Sequence, residues 1–123
     1  MIYICLDNIS VSIDENYNPG DSTLRLSSGS GDLIRTALYD LNISQINTNR
    51  PLIFYLVEHS SGGVLSEGTK YVEMTATGLS GDVLQNVSVV SGYLDQPFYL
   101  GDIVTTYWSA VAYENLVRLI NAG

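Results

Sequence analysis

The sequence is poor in the residues that usually carry covalent, metal or catalytic chemistry. Of its 123 residues, one is cysteine and one is histidine. Cys5 has no second cysteine with which to form an internal disulfide or a thiolate metal site. A catalytic triad would have to use His59, yet no Gly-x-Ser-x-Gly elbow occurs, and Glu58 next to it should point to the opposite face of a strand. We therefore expect no enzyme activity, no metal site and no cofactor.

Basic residues and long apolar runs are also scarce. Five Lys and Arg residues against 13 Asp and Glu residues give a formal net charge of −8, which argues against binding nucleic acid or an anionic membrane. No segment approaches the roughly 20 apolar residues that cross a bilayer, and the N-terminus lacks the basic flank and apolar run of a signal peptide. We expect a soluble chain that is made in the cytoplasm and binds neither nucleic acid nor membrane.

The apolar content is sufficient for one packed core. Hydrophobic residues make up 46% of the chain and charged residues 15%, which is typical of a folded protein rather than a disordered tail. The length is that of one domain, and the sequence contains no internal repeat, low-complexity tract or linker. Residues 1–123 are therefore predicted to form a single domain.

Short stretches of alternating apolar and polar residues predict β-strands. They occupy residues 9–13, 22–27, 70–76 and 83–90, with a shorter strand at 103–107. The uninterrupted apolar run 52–57, which follows Pro51, predicts a central strand covered on both faces. The pattern places Leu24 and Leu26 inward, and it buries Val87 and Val89 across a hairpin from Val72 and Met74.

Glycine and aspartate mark the breaks between these strands. Turns or loops are predicted at residues 18–21, 27–31, 60–63 and 78–82, and Gly-Asp pairs begin at positions 20, 31, 81 and 101. Glycine supplies positive φ and aspartate bonds to the neighbouring backbone. Because the dense Asp-x-Asp spacing of a calcium loop is missing, we interpret all four pairs as structural breaks.

Two segments have helical character. In residues 32–46, Leu33, Ala37 and Leu41 are spaced as a helical stripe, while Ile34, Thr36 and Leu38 fit a strand equally well. The sequence therefore does not decide between a helix and a strand for this segment. Residues 110–121 follow a plausible N-cap at Ser109 and are rich in helix formers. The sequence thus predicts a mainly β protein, a small antiparallel β-sandwich or barrel with a C-terminal α-helix.

Nine tyrosines stand out in a chain of this size. Tyrosine is enriched at protein interfaces, but it also has high β-propensity, and the sequence leaves both explanations open. The candidate interface residues are Tyr55, Tyr71, Tyr93, Tyr99, Trp108 and Tyr113.

From about Ser22 onward, the order of these features resembles a small β-domain of tailed-phage structural proteins. That domain occurs in capsid cement or decoration proteins and in fibre, neck or baseplate attachment modules. The matching pieces are residues 22–26, 50–56, 70–76, the turn at 80–81, the strand 83–90, and 99–104 leading into 108–120. The sequence departs from the pattern after Ser91, where the family often carries an Arg-Gly pair.

The resemblance implies a non-enzymatic bacteriophage virion protein, with a capsid cement or decoration role as the first expectation. Its partners would be the major capsid protein or other virion subunits, and the chain would form a trimer or dimer on the particle. The alternatives are a tail, neck or fibre-attachment component, or a carbohydrate-binding β-module in which exposed aromatic rings stack on sugars.

Overall fold

The computed structural model describes residues 3–6, 9–59, 70–92 and 97–106. This part of the chain is mainly β, as predicted, with two antiparallel sheets and one helix. In chain order the elements are β1 (Ser10–Ser12), β2 (Thr23–Arg25), α1 (Ser30–Asp40), β3 (Leu52–Val57), β4 (Tyr71–Ala76), β5 (Gly78–Ser80), β6 (Val83–Gln85), β7 (Ser88–Gly92) and β8 (Ile103–Thr105). The predicted C-terminal helix lies outside the described residues, as do Tyr93, Trp108 and Tyr113.

The larger sheet has five strands in the order β1-β8-β3-β4-β7. β3 is its central strand, as its uninterrupted apolar sequence predicts, and it pairs with β4 on one side and β8 on the other. Phe54 and Leu56 are fully buried on one face, and Val57 is fully buried on the other. One face of β3 is therefore fully covered, whereas on the other face Ile53 and Tyr55 are only half-buried.

The hairpin β5–β6 lies within the smaller sheet, and the predicted strand 83–90 is shared between the two sheets. Gly81 and Asp82 alone reverse the chain between β5 and β6, so the predicted turn at 78–82 was too long. Gly81 has a φ of 59°, and a glycine at the first turn position suits a two-residue hairpin loop. The predicted strand 83–90 is divided at Asn86, because the φ of 52° at this residue breaks the extended backbone. The first part, β6, joins the smaller sheet, which is ordered β2-β6-β5, and the second part, β7, joins the larger sheet.

Among the strands that the structure describes, β7 lies at the edge of the larger sheet, and it contains an irregularity. Val89 pairs with Met74, but the predicted hairpin is wrong, because β5 and β6 lie between β4 and β7 in the chain. The next pair is Ser91 with Glu73, so Val90 is an extra residue in the strand. The prediction that Val89 is buried is wrong, because 41% of its surface is exposed. The exposure follows from the position of β7, because an edge strand has a neighbouring strand on one side only. Val87, just before β7, is buried as expected.

The ambiguous segment 32–46 is helical as far as Asp40 and contains most of helix α1. Its buried side chains include Ile34 and Leu38, whereas Leu33 and Leu41, from the stripe considered in the sequence, are exposed. A Cβ on Gly31 would lie 1.8 Å from the carbonyl oxygen of Gly81, so only glycine lets the helix start so close to the β5–β6 turn. This contact between backbones sets which face of the helix meets the core.

The predicted break at Gly31 is wrong, because this residue lies in the first turn of α1. The loop before the helix ends at Gly29, which has a φ of 90°. The backbone N–H of Gly31 donates to Asp82 Oδ1 over 2.8 Å, and a carboxylate at a helix N-terminus is favourable. The other three Gly-Asp pairs do lie in turns, with positive φ at Gly20, Gly81 and Gly101.

Both sheets and the helix contribute to one hydrophobic core. The cluster includes Leu24 and Leu84 from the smaller sheet, Phe54 and Met74 from the larger sheet, and Ile34 from α1. The strand alternation around Leu24 is confirmed. β1 and β2 belong to different sheets, and the chain connects them by a single bridge between Ile13 and Leu26, the residues that directly follow the two strands.

Candidate interaction surface

A tight turn precedes β8 at one end of the larger sheet. The backbone N–H of Asp102 donates to the carbonyl oxygen of Tyr99 over 2.8 Å. Gly101, the third residue of the turn, has a φ of 96°, which is the arrangement of a type II turn and favours glycine at this position. Leu100 therefore occupies the second position, at the tip.

The side chain of Asp102 fixes this turn to the end of β3. Its Oδ2 accepts the N–H of Tyr99 over 2.8 Å, and its Oδ1 accepts the N–H of His59 over 2.8 Å. The residue is buried, and hydrogen bonds to a carboxylate are stronger than those between neutral groups. A third bond, from the N–H of Leu100 to Asn16 Oδ1 over 2.8 Å, holds the tip from another loop.

The result is a pair of apolar side chains on a backbone that is held at three points. Tyr99 is 57% exposed and Leu100 is 66% exposed. We call these two residues the turn tip. A contact element whose backbone is already ordered loses less conformational entropy on binding than a mobile loop does. The turn tip therefore has the properties of a preorganised anchor.

A lysine lies next to the turn tip. Lys70 Nζ donates to the carbonyl oxygen of Pro97 over 2.6 Å, and it lies 4.3 Å from the centroid of the buried Phe98 ring and 5.7 Å from that of Tyr99. Phe98 is itself fixed by two backbone hydrogen bonds with Tyr17, each 2.9 Å long. The ammonium group is thus held by a carbonyl oxygen and two aromatic rings.

Two of the predicted interface tyrosines form a pair elsewhere on the sheet. The rings of Tyr55 and Tyr71 are 6.2 Å apart and meet edge to face, and both pack against Val57. Tyr55 also lies directly across from Glu73. Burial raises the pKa of the Tyr55 phenol well above its usual value, and the hydrogen bond to Glu73 raises it further.

The structure therefore brings Tyr55 and Tyr71 together and places Tyr99 in the exposed turn tip. Both paired rings are half-buried, so packing within the chain accounts for them, and their role in an interface stays a prediction. Sequence reasoning missed Leu100. The signal was its position before a Gly-Asp pair, because the residue before the glycine of such a turn is the one that projects at the tip.

Among the residues that the structure describes, His59 does not lie in a cluster of reactive side chains. His59 is exposed beyond the end of β3, and both Asp102 oxygens already accept backbone hydrogen bonds. Within the described ranges, no three His, Cys, Asp or Glu side chains come together as a metal site would require. In the same ranges, no helix has the length and hydropathy needed to cross a membrane.

No protein-family model matches this sequence, and no curated protein matches it either.

Proposed function

We propose that this protein is a non-enzymatic structural subunit of a tailed-phage particle, a cement or decoration protein that stabilises the capsid by packing against the major capsid protein. Two features support the proposal. The order of sequence features from about Ser22 onward resembles that of small β-domains in such particles, and the described surface presents a fixed apolar turn tip.

The turn tip is the observation that carries the proposal. A few buried aromatic and aliphatic anchors dominate the energy of a protein interface, and burying a leucine side chain is worth about 1.5–3 kcal/mol. Leu100 and Tyr99 are exposed in the single chain, so this stabilisation is realised only when a partner covers them. The three hydrogen bonds to the turn reduce the entropy that binding must offset.

Charge favours the outer surface of a particle. The net charge of −8 repels packaged nucleic acid, which has the same sign. A subunit that binds assembled capsid but not its separated components stabilises the particle by mass action. This mode of action needs a rigid fold and a contact surface, and it needs no catalytic group.

We also propose that the two sheets face each other as a small β-sandwich and that the segment 110–121 adds a C-terminal helix. The support is the hydrophobic core, which draws residues from both sheets. On the particle the chain acts as a homo-oligomer, a dimer or trimer, at positions where capsid subunits meet.

The proposal is tested on particles purified from cultures that carry the gene. We expect the chain at a fixed number of copies per particle, and we expect particles without it to lose infectivity at a lower temperature. Purified wild-type chain should bind back and restore heat resistance, whereas Leu100→Asp should not. Tyr39→Ala is the matched control, because Tyr39 is also an exposed apolar residue but lies on α1.

Three results would contradict the proposal. The chain could be missing from purified particles, its removal could leave heat resistance unchanged, or Leu100→Asp could bind as well as wild type. Imaging of the intact particle distinguishes a capsid position from one in the tail or neck. Glycan-array binding that is lost on Trp108→Ala or Tyr93→Ala would instead indicate the carbohydrate-binding module.

A further inference from the structure

Lys70 is the only lysine of the chain, and it lies beside the turn tip without a carboxylate partner among the residues that the structure describes. The ion pairs found in those ranges both use arginines. Glu58 lies close, but its Oε1 accepts the backbone N–H of Lys70 over 3.3 Å rather than the ammonium group. Acidic residues outnumber basic ones by 13 to five in this chain, so the missing ion pair is not due to a shortage of acids.

The contacts of the Lys70 ammonium group hold it in place but do not balance its charge. One of its three N–H donors reaches the carbonyl oxygen of Pro97 over 2.6 Å. The nitrogen lies 4.3 Å from the centroid of the buried Phe98 ring and 5.7 Å from that of Tyr99, which is 57% exposed. Aromatic rings attract a cation through their quadrupole, but they carry no formal charge. The ammonium group thus lies at the boundary between the core and the surface that a partner of the turn tip covers.

A partner that covers the turn tip changes the surroundings of Lys70. It displaces water from Tyr99 and Leu100, and hence from the half-buried lysine next to them. An unpaired charge that loses its hydration is costly. A partner carboxylate within hydrogen-bond reach of Nζ offsets this cost, whereas an apolar group leaves it and a basic group adds repulsion. Lys70 therefore selects the partner by charge at the point where the turn tip selects it by shape.

The charge of the whole chain limits how acidic that partner can be. With a net charge of −8, the chain repels a broadly acidic surface. The attraction to a carboxylate is local, since Arg25 and Arg35 already pair with acids of the chain and Arg50 lies before the start of β3, at the other end of the sheet. The partner surface that fits is one carboxylate in otherwise uncharged surroundings.

We infer that the turn tip and Lys70 together bind a segment of a partner protein in which one Asp or Glu carboxylate lies next to an apolar pocket. The carboxylate pairs with the Lys70 ammonium group, and the pocket receives Leu100 and the exposed part of the Tyr99 ring. This inference rests on the proposed function for the location of the contact, and it adds the chemistry of the partner surface.

The first test is zero-length cross-linking on particles. A carbodiimide joins an amine to a carboxylate that is in direct contact with it, and Lys70 carries the only side-chain amine of this chain. On particles that hold the chain, we expect an amide bond between Lys70 and an Asp or Glu of a neighbouring subunit, located by mass spectrometry. Lys70→Arg should still bind the particle but give no such product. Wild type that is bound to particles and forms no cross-link from Lys70 to another subunit overturns the inference.

The second test needs no particle. Random linear peptides are selected on the full wild-type chain and depleted on Leu100→Asp, so that ligands of the turn tip remain. We expect these ligands to share an Asp or Glu, and its replacement by Asn or Gln should weaken binding to wild type about tenfold. Lys70→Met keeps a long apolar side chain over the Phe98 ring, and it should bind the acidic peptide and the amide peptide equally. Lys70→Arg should retain the preference for the acidic peptide.

Arg50→Met is the matched control, because it removes the same charge from an exposed residue at the other end of the sheet. It should bind the acidic peptide as wild type does. The comparison of acidic and amide peptides on wild type does not depend on the folding of any lysine variant. Equal affinity of wild type for the two peptides, equal effects of Lys70→Met and Arg50→Met, or a selection that yields no shared carboxylate overturns the inference.

Failure of this inference and failure of the proposed function are separate results. Particle binding that Leu100→Asp abolishes and Lys70→Met leaves unchanged refutes the carboxylate contact alone. A carboxylate-dependent peptide ligand for a chain that is missing from purified particles refutes the cement role alone.

Discussion

Removing the Asp102 carboxylate should release the turn tip and destabilise the fold measurably. The side chain accepts the N–H of Tyr99 and that of His59, both over 2.8 Å, and hydrogen bonds to charged groups are worth about 1.5–3 kcal/mol each. Tyr99 and His59 are exposed, so water can replace part of what is lost. We therefore expect Asp102→Ala to lower the free energy of unfolding by about 2–4 kcal/mol, and Asp102→Asn, which keeps one acceptor oxygen, by about half as much.

The assay is urea denaturation followed by circular dichroism, combined with hydrogen exchange at the amides of residues 59 and 99, which should accelerate in Asp102→Ala. Asp21→Ala is the matched control. Asp21 follows Gly20 in another Gly-Asp turn, and its carboxylate accepts one backbone bond, from Asn18 over 2.9 Å, at an exposed position. Its loss should cost less than about 1 kcal/mol. Equal losses for Asp102→Ala and Asp21→Ala would refute the assignment of Asp102 as the group that fixes the turn.

Three further substitutions follow from the same structure. Gly31→Ala should lower the free energy of unfolding by about 1–3 kcal/mol. Alanine is the better helix former, but its Cβ would meet the Gly81 carbonyl. A higher melting temperature for the variant would contradict this prediction, because it would show that the carbonyl moves away at little cost. The pKa of the Tyr55 phenol is raised, so its contribution to stability is complete below the unfolded-state pKa of about 10 and is lost as pH rises beyond it. Tyr55→Phe should therefore show a shallower alkaline loss of stability in urea titrations than wild type, while Tyr39→Phe should match wild type. Leu100→Asp should change the free energy of unfolding by no more than about 0.5 kcal/mol, and a larger loss would mean that Leu100 belongs to the fold rather than to a binding surface.

The alternation of apolar and polar residues correctly predicted those strands in which the residue pattern of the strand itself sets the buried face. Val72, Met74 and Ala76 are fully buried on one face, as alternation requires, and the apolar run 52–57 became the central strand. The sheet to which each strand belongs was not predictable, because it depends on partners far away in the chain. Asn86 divides the predicted strand 83–90 between two sheets, and nothing in the alternation of its neighbours indicates this.

The helix and the turn tip show the same limit. Periodicity allowed a helix over part of residues 32–46, but the face that it buries depends on the approach of Gly31 to Gly81, which belongs to a different element. Tyr99 was selected from its residue type alone. The rigidity of its turn could not be predicted, because the group that holds Leu100 comes from Asn16, 84 residues earlier.

The central claim is that this chain is a subunit of a virus particle and binds there through the turn tip. The most direct test is a reconstruction of the intact particle at a resolution that traces the backbone. The claim predicts the chain at regular positions on the capsid, with Tyr99 and Leu100 covered by a neighbouring subunit. Particles that lack the chain, or that carry it with both side chains open to solvent, would contradict it.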